Sequence, residues 1–543
     1  MKNILEYLEQ TAAKFGDRVA VADNMTQLTF SELVQTAERI GSVLGKSGRR
    51  NAPVAVFLDK TPACAAAFLG VSYSGNFYVV IDSLMPVERI NSIFETLQPY
   101  AVLTDEMHAE QAKEFRFDGE IVLYEEAVQT KVDQELLQKI RSRSIDTDPL
   151  YALFTSGSTG VPKGTVISHR AVMAYSEWVV NTFHFDETTV FGSQTPFYFS
   201  MSVTDFYSMI RTGARLQIIP KVMFSFPMQL IEYMNEHEVN TIYWVPSALG
   251  LVANWKALDY GELKYVKTVL FAGEVMPVKH LNYWREKLPD AFYANLFGPT
   301  ETTDICTYYV VDREFAPEES LPIGRHCDNC DVFILKEDGT EAVEGESGEL
   351  CVRGSFLADG YYNNPEKTAE AFTQNPLNTA YPERIYRTGD LVKYNNRDEL
   401  IYLSRKDFQI KHLEEIRSAF GSFPVLNQIE LHPLYQERDL CAYCRENGIR
   451  LVAWGPLFRG KLMQHPAIVE IAAAHGKTPG QIILRWHIQK GHIAIPKSSN
   501  ESRIHENGDV FSFILTPDDM DRIDALDCGE HIGDDPYTFT GIK

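Results

Sequence analysis

Short apolar runs alternate with amphipathic segments over about the first 150 residues of the chain. The runs at 53–58, 77–81 and 101–103 are rich in valine and other apolar residues and have the length of strands. Strands that alternate with helical segments predict a layered α/β fold with a parallel sheet. The tail repeats the alternation, with predicted strands at 425–429, 450–454 and 492–495 and a predicted helix at 478–489. This second set predicts part of a parallel (β/α)8 barrel.

The composition and charge of the chain argue against some classes of function. The chain has 543 residues, of which 45% are hydrophobic, as expected for a globular protein with several domains. A formal net charge of -23 argues against nucleic-acid binding, which requires clustered Lys and Arg. Residues 1–10 are amphipathic and acidic, so we expect no signal peptide, no membrane span and a cytoplasmic location. The two CxxC spacings, Cys327/Cys330 and Cys441/Cys444, lack the second half of a zinc site, and we expect reduced thiols.

A segment rich in glycine and hydroxyl groups follows the predicted strand 151–154. It consists of Thr155, Ser156, Gly157, Ser158, Thr159, Gly160, Val161, Pro162, Lys163 and Gly164. Glycines let successive backbone N–H groups converge on an anion, while the hydroxyls and the lysine add donors for phosphate oxygens. The spacing differs from the GxxxxGK[ST] nucleotide signature, because Lys163 follows a proline. Taken alone, the segment is equally consistent with a polar surface loop.

Two further segments supply other groups that a nucleotide site needs. Residues 295–301 contain, in order, Asn295, Phe297, Gly298, Thr300 and Glu301. An aromatic face, a tight turn, a hydroxyl and a carboxylate can stack on a purine, bind a phosphate and hold Mg²⁺. Residues 386–390 end in Asp390, whose carboxylate suits ribose hydroxyls. Each segment by itself is also consistent with a plain turn between strands.

In this order and spacing the three segments resemble the adenylate-forming superfamily of acyl- and aryl-CoA synthetases, luciferase and peptide-synthetase adenylation domains. The resemblance covers about residues 1–411, with support from 271–274, 348–354 and the hinge-like segment 404–411, where Ser404 replaces the usual glycine. The chain is most similar to D-alanine–carrier protein ligases and amino-acid adenylation domains. The resemblance implies a core domain over 1–403, built of stacked α/β/α layers with a small β subdomain, and a hinge-like junction at 404–415.

The resemblance also implies a chemistry and a set of residues for it. ATP and Mg²⁺ would activate a carboxylate as acyl-AMP, and the acyl group would then pass to a thiol on a carrier protein or CoA. The catalytic residues would be Lys163, Thr300 on the α-phosphate, and Glu301 as the metal ligand. The remaining cofactor-binding residues would be Thr155, Ser156, Gly157, Ser158, Thr159, Gly160, Asn295, Phe297 on adenine, Gly298, Asp390 on ribose, and Arg405.

The implied substrate pocket contains Ser200, Ala272 and Gly273. Relatives that activate amino acids carry aspartate where this chain has Ser200, and that carboxylate holds the substrate ammonium. Loss of one partner of a desolvated charge pair commonly costs a few kcal/mol. A D-alanine-like amino acid and a hydroxy, aryl or simple carboxylic acid therefore remain alternatives.

The tail resembles a different family, the aldo-keto reductases, over about residues 408–543. The similar segments are 427–433, 453–457, 484–486, 495–498 and 503–507. The resemblance implies an NADPH site formed by Gln428, Trp454, Lys497, Ser498, Arg503 and Asn507. The same resemblance places the reductase's catalytic tetrad in a first half-barrel that the chain does not contain. A complete barrel needs about 250 residues, so we expect 416–543 to form about four βα units, a half barrel that could dimerise.

Residues 407–411 fit the hinge of the first family, and 408–416 fit a segment of the second. The mobile lid domain that normally follows the hinge, with its catalytic lysine, is replaced by the reductase-like tail. Three interpretations follow: a ligase with a replaced lid, a two-step acid activator and reductase, or a non-enzymatic nucleotide-binding chimera. The sequence favours the ligase, with activity reduced by loss of the lid.

Overall fold

Parallel β-sheets dominate the protein in a computed structural model, which describes residues 1–156, 162–316, 319–405, 413, 416–417, 421–498, 501–528 and 530. The chain divides into two compact units, one of 1–155 and 162–403 and the other of 156–161 and 404–543. The predicted hinge-like junction at 404–415 falls largely outside the described residues.

The strands of the described residues are β1 Val19–Ala22, β2 Gln27–Thr29, β3 Pro53–Phe57, β4 Phe77–Val80, β5 Ala101–Thr104, β6 Glu120–Leu123, β7 Pro149–Ser156, β8 Pro162–Ser168, β9 Val190–Ser193, β10 Arg215–Ile218, β11 Thr241–Trp244, β12 Thr268–Phe271, β13 Phe292–Phe297, β14 Thr307–Val310, β15 Arg325–His326, β16 Cys330–Leu335, β17 Ser347–Gly354, β18 Gly360–Tyr361, β19 Phe372–Gln374, β20 Arg384–Tyr394, β21 Leu400–Arg405, β22 Leu426–Glu430, β23 Arg450–Trp454 and β24 Ile493–Ala494.

The α-helices of the same residues are α1 Leu5–Phe15, α2 Phe30–Gly45, α3 Pro62–Tyr73, α4 Val87–Leu97, α5 Ala109–Ala112, α6 Tyr124–Ala127, α7 Gln134–Arg143, α8 His169–Phe183, α9 Ser202–Thr212, α10 Pro227–Glu236, α11 Pro246–Asn254, α12 Val278–Lys287, α13 Pro365–Ala371, α14 Arg438–Glu446, α15 Pro466–His475, α16 Pro479–Gln489, α17 Glu501–Gly508 and α18 Pro517–Asp524. Short 3-10 turns occur at Lys221–Ser225, Ala257–Asp259, Thr300–Thr302 and Phe458–Gln464.

Three sheets form the first unit. In the order of neighbouring strands, they are β15-β14-β13-β12-β11-β9-β10-β1-β2, β18-β8-β7-β4-β3-β5-β6, and β16-β17-β20-β19 with β21 beside β20. The predicted strands at 53–58, 77–81 and 101–103 are confirmed as β3, β4 and β5, which pair in parallel and are buried along their whole length. Their continuous apolar runs reflect burial on both faces. A mixed α/β architecture is therefore confirmed.

The tail forms a separate sheet of parallel strands in the order β22-β23-β24 within its described part. The predicted strands and the predicted helix appear within one or two residues of their expected bounds. Helix α16 begins with a capping box, in which Thr478 and Gln481 bond each other's backbone N–H, and with Pro479 in its first turn. Helix α16 contributes Ile482 and Trp486 to a buried hydrophobic core that also contains Phe458. Closure into a barrel is not observed among the described residues.

Candidate functional site

The implied nucleotide and substrate residues of the first unit lie near the carboxyl ends of neighbouring strands. Phe297 ends β13, Ala272 directly follows β12, and Ser200 lies between β9 and the first turn of α9. Strands β9, β11, β12 and β13 are parallel and lie next to one another in that order. Carboxyl ends of parallel strands are the usual ligand-binding edge of α/β sheets. The sheet therefore brings together residues that are almost 100 positions apart in sequence.

The glycine-rich segment connects β7 to β8, which are neighbours in the second sheet. Gly157, Ser158, Thr159 and Gly160 lie outside the described residues, and Thr155 is half-buried near the end of β7. At Gly164, a Cβ atom would lie 2.6 Å from the Phe154 ring. The glycine-rich segment is preceded by one strand and followed by another, whereas the GxxxxGK[ST] loop leads from a strand into a helix.

Lys163, Tyr361 and Glu301 lie together on this sheet and the adjoining turn. Strand β18 pairs with β8, which places Tyr361 opposite Thr165. The Lys163 ammonium lies 4.6 Å from the centre of the Tyr361 ring. The Tyr361 hydroxyl donates a hydrogen bond of 2.7 Å to Oε1 of the buried Glu301. One aromatic side chain therefore orients both the lysine and the carboxylate that the resemblance assigns to catalysis.

Gly298 allows the chain to fold back on itself after β13. The backbone N–H of Cys306 donates to the Phe297 carbonyl at 2.9 Å, and Thr300–Thr302 form a 3-10 turn between them. A Cβ atom on Gly298 would lie 2.5 Å from the Asp304 carbonyl oxygen and from the Ile305 Cα atom. Only glycine fits at this point, because the contacting atoms belong to the backbone.

Replacement of Gly298 by alanine is therefore expected to lower the free energy of unfolding of the first unit by about 2–3 kcal/mol. The loss should appear as a lower midpoint in thermal unfolding. Gly339→Ala is the matched control, because Gly339 has φ of +79° but no atom within 4 Å of its added Cβ; it should cost only about 1 kcal/mol. Equal losses in the two variants would contradict the steric explanation.

Asn295 and Phe297 differ in their surroundings. Asn295 is buried, and its Nδ2 donates to the Pro322 carbonyl at 2.8 Å. Phe297 is half-buried, and its ring centre lies 5.6 Å from that of Tyr402. The Asn295 amide thus helps to fix the end of β13, whereas Phe297 retains an accessible face.

Asp390 is buried in a bulged part of β20, where the register with β17 shifts. Glu349 stabilises the turn, because its carboxylate pairs with the Arg387 guanidinium and accepts the Gly389 N–H at 3.0 Å. The Thr388 hydroxyl accepts the Asp390 N–H at 3.0 Å. Arg405, also in the implied cofactor set, is the half-buried last residue of β21.

The substrate side contains a carboxylate that sequence reasoning missed. Oδ2 of Asp304 accepts hydrogen bonds from the hydroxyls of Tyr175 at 2.9 Å, Tyr243 at 3.0 Å and Thr204 at 3.1 Å. The Ser200 hydroxyl also acts on this carboxylate and lowers its pKa. Burial raises the Asp304 pKa to about 6, and the four hydroxyls oppose that rise. The available signal was an aspartate three residues after Glu301, beside the apolar pair Ile305 and Cys306.

Ala272 and Gly273 lie beside the start of α9. Ala272 is 2% exposed, and Gly273 has φ of +86°, a conformation that favours glycine. A Cβ atom on Gly273 would lie 3.5 Å from the Met201 sulfur and 3.8 Å from Cγ1 of Val245. The structure therefore brings Gly273 next to Met201, the residue that follows Ser200. Ser200 and Gly273 must lie close together if they line one substrate pocket.

A half-buried lysine and a buried carboxylate adjoin this region. The Lys60 ammonium donates to the Ser193 hydroxyl and carbonyl, each at 3.0 Å, and to the Thr195 carbonyl at 2.8 Å. The carboxylate of Asp205 on α9 is buried, and the Lys60 charge and the Ser193 hydroxyl both act to lower its pKa. Burial lowers the pKa of Lys60 and raises that of Asp205. Lys60 thus connects the loop after β3 to the end of β9.

The tail residues of the implied NADPH site lie on the β22–β24 sheet and the segments after it. Gln428 is exposed on β22, and Trp454 is the half-buried last residue of β23. Lys497 and Ser498 follow β24, and Arg503 and Asn507 are one helical turn apart on α17. The parallel pairing of the three strands places the residues after β23 and β24 at the same edge.

The described residues contain no cluster of three or more His, Cys, Asp or Glu side chains suited to a metal ion. Across the same ranges, no helix is long and apolar enough to cross a membrane.

Comparison with solved structures defines the class of fold. The chain is similar to the nonribosomal peptide synthetase FmoA3, with a TM-score of 0.66 and 24% identity over 74% of this chain and 42% of that one. It is also similar to the N-terminal subdomain of Klebsiella oxytoca NpsA, with a TM-score of 0.62 and 20% identity over 75% of this chain and 100% of that one. Over about three quarters of the chain, the fold is that of adenylation domains.

Residues 8–362 match the family model of AMP-binding enzymes, and the chain belongs to that family. Residues 402–527 match the aldo/keto reductase family. Tyrocidine synthase 1 of Brevibacillus parabrevis is 30% identical over 81% of this chain, which spans only 40% of that protein's length. D-alanine--D-alanyl carrier protein ligase of Bacillus cytotoxicus is 30% identical over 76% of this chain and 82% of its own length. The double resemblance predicted from sequence is confirmed.

Proposed function

We propose that the protein uses ATP and Mg²⁺ to activate a small carboxylic or amino acid as acyl-AMP, and that the acyl group passes to the thiol of a carrier protein. The observation that carries the proposal is the contact of Tyr361 with both Lys163 and Glu301. In this reaction an oxygen of the substrate carboxylate attacks the α-phosphorus, and pyrophosphate leaves. Catalysis of such a step depends on positioning and on charge neutralisation.

Each implied residue has a role in that step. Glu301 offers a buried carboxylate oxygen donor of the kind that Mg²⁺ prefers. Lys163 and the segment 155–160 would neutralise the leaving phosphates, and Thr300 would bond the α-phosphate. Phe297 would stack on adenine, and Asp390 would bind the ribose, with Gly298 and Arg405 completing the nucleotide site. Mg²⁺ would supply charge neutralisation at the phosphates.

The relatives support the choice of substrate and acceptor. Ligases named for D-alanine and a D-alanyl carrier protein are similar over most of this chain. A similar solved structure is an artificially fused adenylation–PCP di-domain of NpsA and ThdA, with a TM-score of 0.64. A small acid and a carrier-protein thiol are therefore the substrates that we propose.

Acid-dependent release of pyrophosphate tests the proposal directly. Purified protein would be incubated with MgATP and hydroxylamine, which traps acyl-AMP, across D-alanine, other amino acids, hydroxy acids and aryl acids. We expect release that depends on one acid and on Mg²⁺, slower than in an enzyme with its lid domain. No release by protein that binds ATP would reject the ligase and support the nucleotide-binding chimera.

The contact of Tyr361 with Glu301 predicts a graded effect of Tyr361→Phe. Phenylalanine keeps the aromatic face beside Lys163 but removes the hydroxyl that bonds Glu301. Loss of a partner that orients a metal ligand typically costs 10–100-fold in metal affinity or activity, and we expect about 10-fold in the Mg²⁺ concentration needed for half-maximal rate. Tyr362→Phe, at the adjacent residue, should leave that concentration unchanged. An unchanged Mg²⁺ dependence in Tyr361→Phe would remove Glu301 from the metal site.

For the tail we propose binding of NADPH, because the parallel strands bring Trp454 at the end of β23 and the residues after β24 to one edge of the sheet. Lys497, Ser498 and Arg503 would bind the 2′-phosphate, since cationic and hydroxyl side chains suit phosphate oxygens. Limited proteolysis with and without saturating NADPH tests this, and lack of protection would reject it. Carbonyl reduction is not expected. Association of two tails into a dimer would be tested by sedimentation of the whole protein.

A further inference from the structure

The acid pocket adjoins a set of three charged residues whose charges do not balance. Asp205 and Asp304 are 3% and 1% exposed, and the charges of Lys60 and Asp304 both act on the Asp205 carboxylate. Lys60 is the cation of this set, and its ammonium is held by oxygens of Ser193 and Thr195. With one cation and two carboxylates, the set carries a surplus negative charge when all three are ionised.

The Lys60 charge acts on Asp205, whereas Asp304 is surrounded by hydroxyl groups. Its Oδ2 atom accepts three hydroxyl hydrogen bonds, from Tyr175, Tyr243 and Thr204, and hydroxyl donors favour the ionised form of a carboxylate. Among the residues that the structure describes, no lysine, arginine or histidine forms an ion pair with Asp304. A buried charge without a counter-charge costs several kcal/mol. Hydroxyl groups reduce this cost without supplying positive charge.

The backbone before Asp304 is also strained. Thr303 has φ of +70°, a rare conformation for a β-branched residue, and its hydroxyl donates to the Phe356 carbonyl at 2.8 Å. Strain of this kind persists only where the surrounding structure enforces it, and it is common at ligand sites. The turn therefore holds the Asp304 side chain toward Tyr175 and Tyr243 at a cost.

Asp304 adjoins the residues that the sequence predicts to line the acid pocket. The Thr204 hydroxyl, which donates to Asp304, lies in the first turn of α9, four residues after Ser200. Between these two residues, Met201 has its sulfur next to Gly273. Serine at position 200 supplies no charge of its own, and Asp304 is a carboxylate on which its hydroxyl acts.

We propose that Asp304 determines substrate specificity and binds a positively charged amino group of the acid. A carboxylate would thus reach the pocket from the turn after Glu301 and replace the charge that Ser200 cannot supply. The proposal rests on the proposed function and makes its substrate an amino acid. An uncharged hydroxy or aryl acid would leave the surplus charge unpaired.

Binding of acyl-sulfamoyl adenosines tests the proposal without requiring turnover. Glycyl, D-alanyl, L-alanyl and L-phenylalanyl compounds would each be compared by calorimetry with the acetyl, propionyl or phenylpropionyl counterpart that lacks the amine. We expect at least one amino compound to bind about 10²-fold more tightly than its counterpart. In Asp304→Asn that preference should fall to within about threefold, while affinity for AMP and for the uncharged compound stays the same.

The outcomes separate the two proposals. Equal affinity of every amino compound and its counterpart in the unaltered protein would overturn the role of Asp304. Retention of the preference in Asp304→Asn would do the same, as would binding of AMP without binding of any acyl compound. Failure to bind AMP would instead reject the nucleotide site, and with it the proposed function. Asp338→Asn, in an exposed turn, is the matched control.

Discussion

Replacement of Glu301 by glutamine is expected to lower kcat/KM for acid-dependent pyrophosphate release by about 10²–10³-fold. The amide is nearly the same size as the carboxylate and keeps an oxygen that can accept the Tyr361 hydroxyl. It removes the charge that would hold Mg²⁺ against the phosphates. The fold should therefore persist while the step that depends on the metal is lost.

The measurement is the initial rate of pyrophosphate release at saturating MgATP, together with calorimetric binding of AMP. Affinity for AMP should change by less than about threefold, because AMP lacks the phosphates whose charge Mg²⁺ would neutralise. Glu344→Gln removes an exposed carboxylate of the same unit and should leave both quantities unchanged. A Glu301→Gln enzyme with a normal rate would show that the metal ligand lies elsewhere.

Replacement of Lys60 by methionine is expected to lower the free energy of unfolding of the first unit by about 2–4 kcal/mol. Removal of one partner from a fully buried charge pair typically costs 3–5 kcal/mol, and Lys60 is only half-buried. Methionine fills much of the same space but leaves the Thr195 carbonyl and the Asp205 carboxylate without the ammonium. Thermal unfolding at pH 8 would measure the loss.

The loss of unfolding free energy caused by Lys60→Met should become smaller as the pH falls from 8 toward 5. Burial raises the Asp205 pKa, and Lys60 opposes that rise, so the variant should have a still higher Asp205 pKa. When the pKa of a carboxyl group is raised in the folded state, the folded protein becomes less stable as the pH rises above the unfolded pKa of that group. Acidification restores this stability. Lys60→Met/Asp205→Asn should recover part of the loss at pH 8. A deficit independent of pH, with no recovery in the double variant, would mean that the charge pair is not its cause.

The strands and the nucleotide segments were largely predictable from sequence. Runs such as 53–58 are apolar throughout because β3 is covered on both faces, and this local pattern is visible in the sequence alone. The chemistry of the segment 295–301 is likewise local, since a turn, a hydroxyl and a carboxylate lie within seven residues. The tail strands were predicted for the same reason, although their number does not define a closed barrel.

The Asp304 site was not predictable, because its hydroxyl groups come from α8, α9 and β11. Tyr175, Thr204 and Tyr243 have no common spacing in sequence, and each alone is an ordinary polar residue near a strand or helix. Lys60 follows β3 of one sheet and Asp205 lies on α9, which follows β9 of another sheet, so their proximity is likewise not visible in the sequence. Ser200 was recognised as a departure from its relatives, but the charge that adjoins it could be found only in three dimensions.

The close approach at Gly298 has an evolutionary consequence. Residues 300–304 form one short turn that contains both Glu301 and Asp304, and the Gly298 contact fixes this turn to the end of β13. A substitution that reshapes the acid pocket from this turn would also displace the carboxylate proposed for Mg²⁺. Changes of substrate preference along this lineage should therefore accumulate on α9 and after β12, where the pocket wall can vary independently of the phosphate chemistry.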